Sequence, residues 1–193
     1  MQEAKWEELE ARCRYCTQCP LHVNRHNVVV GDGNRNARIL LVGEGPGEQE
    51  DLQGVPFVGP AGQLLDEMLS IIDLDRSDYY IANIVKCRPP RNRDPLPEEQ
   101  IRCIGFLQEQ MALLQPKVII CLGRIAAQKL IHQEYRITRE HGQWEEIAGT
   151  WRTAIYHPSA LLRDPGKRPE TFEDLLSIRA KLRELGLYRV KKD

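Results

Sequence analysis

Short apolar runs alternate along the chain with amphipathic stretches, and these patterns predict buried strands separated by helices. The runs are 38–43, 79–85 and 118–122, each the length of a strand that is covered on both faces of a parallel sheet. Between them, apolar residues recur at helical spacing after Pro60 and after Pro97. This alternation predicts an α/β fold, a three-layer α/β/α sandwich around a central, largely parallel four-stranded sheet.

Both ends of the chain add elements to this core. An amphipathic helix is predicted over 3–14, and a helix over 170–185 that Gly186 ends. Residues 144–147 and 151–156 have the pattern of two strands joined by a tight turn. We therefore expect a hairpin late in the chain.

Composition limits the class of protein. A chain of 193 residues with 41% apolar residues suits one domain, 1–193. The formal net charge is −1, so any contact with nucleic acid must come from local basic clusters. The charged N-terminus is not typical of a signal peptide, and no apolar run could span a bilayer. We expect a soluble, cytoplasmic protein without a membrane partner.

The first apolar run leads into a glycine-rich loop, Gly43 to Asp51, with the sequence GEGPGEQED. Glycine loops often hold phosphate, because their backbone N–H groups can approach an anion closely. Here Glu44, Glu48, Glu50 and Asp51 would repel phosphate, and Pro46 interrupts the dinucleotide-binding pattern. A nucleotide-binding module is therefore the weaker interpretation of this loop.

Three polar segments follow predicted strands, namely 43–51, 83–88 and 157–163. Because ligands of open α/β sheets bind beyond the carboxyl ends of strands, these segments could share one pocket. The last has the sequence HPSALLR, which places two adjacent leucines in a predicted loop beside Arg163. Apolar side chains next to basic ones are a means of pushing bases out of a duplex. A structural hydrogen bond is the common alternative role for a lone histidine such as His157.

Six cysteines are many for a chain of this length. Cys16 and Cys19 form a C-x-x-C pair, and with Cys87 and Cys103 they supply four thiolates, enough for a structural zinc ion or a [4Fe–4S] cluster. Spacing does not separate these two, and unrelated core cysteines are a third possibility. Cys13 is a rival ligand, and Cys121 fits a core position.

Several motifs together resemble one known family. The loop 43–51 resembles the first motif of the iron–sulfur uracil-DNA glycosylases of the family-4 type, and 157–163 resembles their second motif. The tracts 54–65 (GVPFVGPAGQLL) and 83–97 (NIVKCRPPRNRDPLP) resemble further blocks of that family. The order of the motifs agrees, and the similarity extends from about Cys16 to the last predicted helix.

The resemblance implies a function and a cofactor. It implies hydrolysis of the N-glycosidic bond of deoxyuridine in DNA, a step of base excision repair. It also implies a [4Fe–4S] cluster held by Cys16, Cys19, Cys87 and Cys103, which would attach the N-terminal segment 1–30 to the rest of the domain. Uracil-containing DNA, single- or double-stranded, is the implied substrate, and we expect a monomer.

The resemblance also implies roles for residues of the pocket. His157 would donate a hydrogen bond to the uracil carbonyl beside the broken bond, and Asn83 would pair with the uracil edge. Phe57 would stack on the base, with backbone N–H groups near Gly43 and Gly45 within reach of it. The expected position of a water-activating acid holds Gly45 here, so two neighbouring acids are candidates: Glu44 and Glu50.

DNA would be contacted by the last residues of the second motif. Leu161 or Leu162 would act as the wedge, and Arg163 would contact the phosphate backbone.

Two other functions are weighed against a glycosylase. A covalent uracil-DNA-binding relative would need an extra basic loop with a histidine, which this chain lacks, and an iron–sulfur redox protein would not need the two motifs.

Overall fold

The computed structural model describes residues 2–188. Met1 and residues 189–193 belong to the predicted domain 1–193 but lie outside the described residues. The helices are α1 (Gln2–Arg14), α2 (Glu48–Gln53), α3 (Pro60–Ser70), α4 (Pro97–Leu114), α5 (Arg124–Leu130), α6 (Ile137–Glu140), α7 (Pro158–Arg163) and α8 (Arg168–Glu184). Short 3₁₀ turns cover Pro20–His22, Pro90–Asn92 and Pro165–Lys167. The strands are β1 (Asp32–Gly33), β2 (Ile39–Gly43), β3 (Tyr80–Asn83), β4 (Val118–Leu122), β5 (Glu145–Ile147) and β6 (Thr150–Ile155).

These strands form one sheet in the order β1-β3-β2-β4-β6-β5. β3, β2, β4 and β6 are parallel, as predicted, but the count of four strands is wrong. Two short antiparallel strands extend the edges: β1 beside β3, and β5 beside β6 in the predicted hairpin. β1 has only two residues, one of them a glycine, so it carries no apolar pattern from which it could be predicted.

Helices cover both faces of the sheet, which confirms the three-layer architecture. Side chains alternate along β2, so that Leu40 faces the core shared with α1, α4 and α5, while Leu41 faces the core shared with α3, α7 and α8. Both side chains are fully buried. This two-sided burial explains why the strands are continuous apolar runs rather than alternating ones.

Polar contacts attach the N-terminal segment to the sheet layer. Asp51 is 1% exposed, and its carboxylate accepts hydrogen bonds from the backbone N–H and the ring Nδ1 of His26. Asp51, which lies in the first turn of α2, is therefore a buried hydrogen-bond acceptor that joins this helix to His26 rather than a solvated acid. The backbone N–H of Val29 also donates to the Lys86 carbonyl, next to Cys87. Within residues 2–188 no helix is long and apolar enough to cross a membrane.

Candidate active site

The carboxyl ends of the four parallel strands open into one cleft with a volume of about 730 Å³. Gly43 ends β2 and Asn83 ends β3, and the two are paired in the sheet register. Gly123 follows β4, and His157 lies two residues beyond the end of β6. The three segments that the sequence placed at strand ends therefore line a single cleft, as predicted.

Gly43 lets two candidate base-binding residues meet at the floor of the cleft. A Cβ atom on Gly43 would lie 2.4 Å from Asn83 Oδ1 and 2.5 Å from Phe57 Cζ, so no larger side chain fits. The amide and the aromatic ring thus converge because this strand ends in glycine. Gly45 has a similar role further along the loop, where a Cβ atom would lie 2.8 Å from Val85 Cγ2.

Phe57 is held in an unusual backbone conformation. Its φ is +55°, in the left-handed region that non-glycine residues rarely adopt, and its side chain is 6% exposed. Arg76 donates to the Phe57 carbonyl at 2.7 Å, and a Cβ atom on Gly62 would collide with that carbonyl at 1.9 Å. Such a conformation persists only where neighbours fix it, so the ring is rigidly placed before any ligand binds.

Glu50 fixes the next residues of the same loop. Its Oε1 accepts from the backbone N–H groups of Val58 and Gly59, both at 2.8 Å, and Gly59 precedes helix α3. The Glu50 carboxylate therefore holds in place the loop that carries Phe57. We favour a positioning role for Glu50 over the predicted catalytic one, which leaves Glu44 as the candidate for the water.

Asn83 carries a polar atom that lacks a protein partner. The residue is 1% exposed, and its Oδ1 has no hydrogen-bond partner among residues 2–188. A buried acceptor without a donor costs about 1–3 kcal/mol, which a suitable ligand can recover. Asn83 lines the cleft, so this atom is a ready acceptor for a ligand N–H group.

His157 is neutral and its tautomer is defined by helix α7. Its Nδ1 accepts from the backbone N–H of Ser159 at 3.1 Å, so the remaining ring proton of the neutral form is on Nε2. Burial, followed by the positive charge of Arg163, lowers the pKa of His157 to about 4. At neutral pH the ring is therefore an uncharged N–H donor. A Cβ atom on Gly123 would lie 2.9 Å from His157 Cβ, so glycine after β4 makes room for this ring.

Glu44 is an acid of the cleft whose pKa differs from its ordinary value. Burial, followed by the negative charge of Asp94, raises the pKa of Glu44 to about 7. Arg124 and Arg163 oppose this rise. Near neutral pH the residue thus exists both as an acid and as a carboxylate, as suits a group that exchanges protons.

The second motif is a helix rather than the predicted loop, and this changes its leucines. In α7, Leu161 is 1% exposed and packs in the core with α3 and α8, whereas Leu162 is 43% exposed and lines the cleft. Leu161 is therefore corrected from a DNA-contacting residue to a core residue. Arg163 lines the cleft beside Leu162.

Four cysteines from three parts of the chain line a second, smaller cavity: Cys16, Cys19, Cys87 and Cys103. Cys13 lines it too, while Cys121 is fully buried within β4, as predicted for a core position. Among the described residues, no three His, Cys, Asp or Glu side chains are arranged to hold a single metal ion.

The surroundings of these sulfurs suit thiolate ligands. Arg25 Nη1 donates to Cys87 Sγ at 3.4 Å, and the backbone N–H of Lys86 donates to Cys103 Sγ at 3.3 Å. Both bonds become stronger when the sulfur is negatively charged. Burial raises the pKa of Cys103 to about 11, so without a bound cation these positions favour the protonated thiol. A cationic group that binds there would have to displace that proton.

Some residues of the cleft were not predicted from the sequence. Asp94 and Arg124 both line it and form an ion pair, with 2.7 Å between Arg124 Nη2 and Asp94 Oδ2. They are thirty positions apart, and no motif connects them. Ser159 follows His157 within the predicted segment 157–163, and its backbone N–H donates to the histidine ring.

Comparison with known proteins identifies relatives that match most of the chain. Residues 30–180 match the family model described as the uracil DNA glycosylase superfamily. A type-4 uracil-DNA glycosylase of Thermotoga maritima is 44% identical over 95% of this chain and 98% of its own length. Proteins of the same description from Archaeoglobus fulgidus and Pyrobaculum aerophilum are 47% and 41% identical, over 84% and 88% of this chain and 86% and 90% of their own lengths.

Proposed function

The chain belongs to the uracil DNA glycosylase superfamily, and we infer that it excises uracil from DNA by hydrolysing the N-glycosidic bond, leaving an abasic site for repair. Type-4 relatives that cover nearly the whole chain support this function. The observation in the cleft that carries it is the buried Oδ1 of Asn83, which has no partner in the described part of the chain and lies beside the fixed ring of Phe57. A planar base with an N–H edge is the ligand that satisfies both.

Recognition of the base would involve three groups. Uracil N3–H would donate to Asn83 Oδ1, and the amide Nδ2 would donate to uracil O4. Phe57 would stack on the base, a contact worth about 1–3 kcal/mol. Backbone N–H groups near Gly43 and Gly45 could approach a carbonyl of the base, because neither residue has a side chain in the way.

Departure of the base is the step that His157 would assist. As the glycosidic bond breaks, its electron pair moves into the uracil ring and negative charge gathers on the carbonyl oxygens. Nε2–H of His157 would donate to the carbonyl beside the broken bond. Because the ring already has this tautomer and no charge, it needs no proton from water before it acts.

Glu44 would act on the sugar side. Its carboxylate would orient a water molecule toward C1′ and accept a proton from it, while its negative charge would stabilise the cationic sugar. Hydrolysis then gives free uracil and an abasic sugar. Glu50 would contribute indirectly, because its hydrogen bonds hold the loop that carries Phe57.

The base must leave the DNA stack to reach this cleft. We propose that Leu162 fills the space that the base vacates and that Arg163 contacts a nearby phosphate. Arg93 is less available for DNA, because it makes two hydrogen bonds to the buried carboxylate of Glu99. We expect the enzyme to act as a monomer on single- or double-stranded DNA and in the cytoplasm.

A direct assay tests this function. Strands that contain a single labelled uracil should release free uracil when they are incubated with the protein, and alkali should then cleave them at the abasic site. A protein–DNA complex that survives denaturant without release of free base would instead indicate a covalent uracil-DNA binder. If neither is detected on single- or double-stranded DNA, the proposed function is wrong.

We further propose that Cys16, Cys19, Cys87 and Cys103 hold a [4Fe–4S] cluster. These are four of the five cysteines that line one cavity, and N–H groups donate to two of the four sulfurs, which fits such a group. Bound there, the cluster would act as a cross-link that joins the N-terminal segment 1–30 to the 83–97 loop and α4 in a single domain. Zinc is the alternative that metal analysis distinguishes.

Replacing one ligand should remove the cluster. We expect Cys87→Ala to lose the brown colour and the iron, about four atoms per chain, and to unfold about 10 °C lower, because a lost cross-link costs roughly 4 kcal/mol. The matched control is Cys13→Ala, which removes a thiol of the same cavity that we do not assign as a ligand. Zinc in the wild-type protein, or loss of iron from Cys13→Ala, would contradict this assignment.

A further inference from the structure

The Asp94–Arg124 ion pair lies at the rim of the cleft and has no part in the function derived so far. Asp94 belongs to the loop before α4, and Arg124 is the first residue of α5. Their side chains are about half exposed, at 62% and 48%. An ion pair this exposed contributes little to the stability of the fold, so stability does not account for its position beside Glu44.

Asp94 is fixed from two sides. Its Oδ2 accepts from Arg124 Nη2 at 2.7 Å, and its backbone carbonyl accepts from Arg93 Nη1 at 2.9 Å. The same guanidinium of Arg93 binds the carboxylate of Glu99, which is 2% exposed. The Asp94 carboxylate is therefore anchored, although it lies at the surface.

This anchored carboxylate lines the same cleft as the Glu44 carboxyl, where, after burial, its negative charge and a hydrogen bond with it raise the pKa of Glu44. Two carboxylates cannot hydrogen-bond to each other, whereas a carboxyl and a carboxylate can, by sharing one proton. We propose that Asp94 is a positioning residue that acts through Glu44: it shares a proton with the Glu44 carboxyl and so sets the pH range in which Glu44 can orient water. This proposal rests on the proposed excision of uracil.

Charged groups from several elements line the cleft around Glu44: Asp94 and Arg93 from the loop before α4, Arg124 from α5, His157 and Arg163 from the α7 segment, and Glu48 and Glu50 from α2. Among them Asp94 raises the pKa of Glu44, and Arg124 and Arg163 lower it. His157 is neutral above about pH 4 and does not change charge in the range where Glu44 titrates. The protonation of Glu44 should therefore respond to Asp94 and Arg124 in opposite directions.

The acid side of the pH–rate profile should show this response. Excision needs Glu44 as a carboxylate, so the wild-type rate should fall as pH decreases through about 7. At about pH 6 it should be roughly a tenth of its plateau. Asp94→Asn removes the negative neighbour, which lowers the pKa of Glu44 and moves the fall to lower pH. At about pH 6 this variant should be roughly fivefold closer to its own plateau than the wild type is to its plateau.

Arg124→Gln should have the opposite effect. Loss of the positive charge raises the pKa of Glu44, so that at about pH 7 the variant should be roughly fivefold further below its plateau than the wild type. Glu184→Gln is the control, because it removes a carboxylate that is paired with Lys181 on α8, away from the cleft. Its profile should match that of the wild type.

Single-turnover rates of uracil release from about pH 5 to about pH 9, with enzyme in excess, measure these shifts. Carbon-13 NMR of glutamate side chains gives the Glu44 titration directly, with Glu44→Gln to assign the signal, and does not depend on catalysis. The role of Asp94 would be overturned, and the function left intact, by pH–rate profiles in which the plateau rate falls but the pH midpoint stays the same. A Glu44 titration unchanged in Asp94→Asn would have the same consequence. A wild-type protein that releases no uracil at any pH would overturn the function and this role with it.

Discussion

His157→Ala should reduce single-turnover release of uracil by about 100- to 1000-fold, the usual cost of removing one donor aimed at developing charge. The donor is the Nε2–H group, whose tautomer is set by the hydrogen bond from the Ser159 backbone to Nδ1. The loss should appear in the rate of the chemical step, with DNA binding little changed. Quenched-flow measurement of base release, with binding followed by fluorescence anisotropy, separates the two effects.

Ser159→Ala is the matched control for this substitution. It removes the hydroxyl that lies 2.7 Å from His157 Nδ1 but keeps the backbone N–H that sets the tautomer, so the rate should fall less than tenfold. His157→Ala also removes a helix cap, at a cost of about 1 kcal/mol, and thermal unfolding should show that the variant is folded at the assay temperature. Undiminished release by His157→Ala would show that another group stabilises the leaving base.

The fold was predictable wherever burial imposed a pattern on the sequence. β2, β4 and α4 were predicted closely, because two-sided burial makes strands continuous apolar runs and one-sided burial gives α4 its stripe. α2 was missed, since its only buried residue is an acid, Asp51, whose partner His26 lies far away in sequence. α7 begins with a proline, a helix-start signal, but its adjacent leucines were interpreted as one wedge when they lie on different faces.

The family and the function were predicted from motifs, and comparison with known proteins confirms both. The motifs also placed the residues of the strand ends, which share one cleft because parallel strands end at the same edge of the sheet. The motifs do not predict which side chains pair with each other across that cleft. Asp94 lies close to Glu44 and Arg124 only because two loops and the start of α5 come together there, and no local sequence pattern encodes this arrangement.

Asn83→Leu should lower uracil excision by about 100-fold while raising the stability of the protein. Leucine has nearly the shape of asparagine but neither donates nor accepts, so the N3–H and O4 groups of a bound uracil would be buried without partners, at a cost of about 3 kcal/mol. In the free protein the same change removes a buried acceptor that has no partner in the described part of the chain. Its melting temperature should therefore rise by a few degrees.

A fall in uracil excision together with a rise in melting temperature distinguishes loss of base recognition from damage to the fold. A substitution that merely disturbed the packing of Gly43 and Phe57 against residue 83 would lower activity and stability together. Asn83→Ala provides the comparison, because it removes the same polar groups and also leaves a cavity, so activity should fall by a similar factor and the melting temperature should fall as well. Retention of full activity by Asn83→Leu would show that the edge of the base is recognised elsewhere. Excision should be measured on single-stranded substrate, so that the cost of opening a duplex does not mask the loss, and melting by calorimetry on the same preparations.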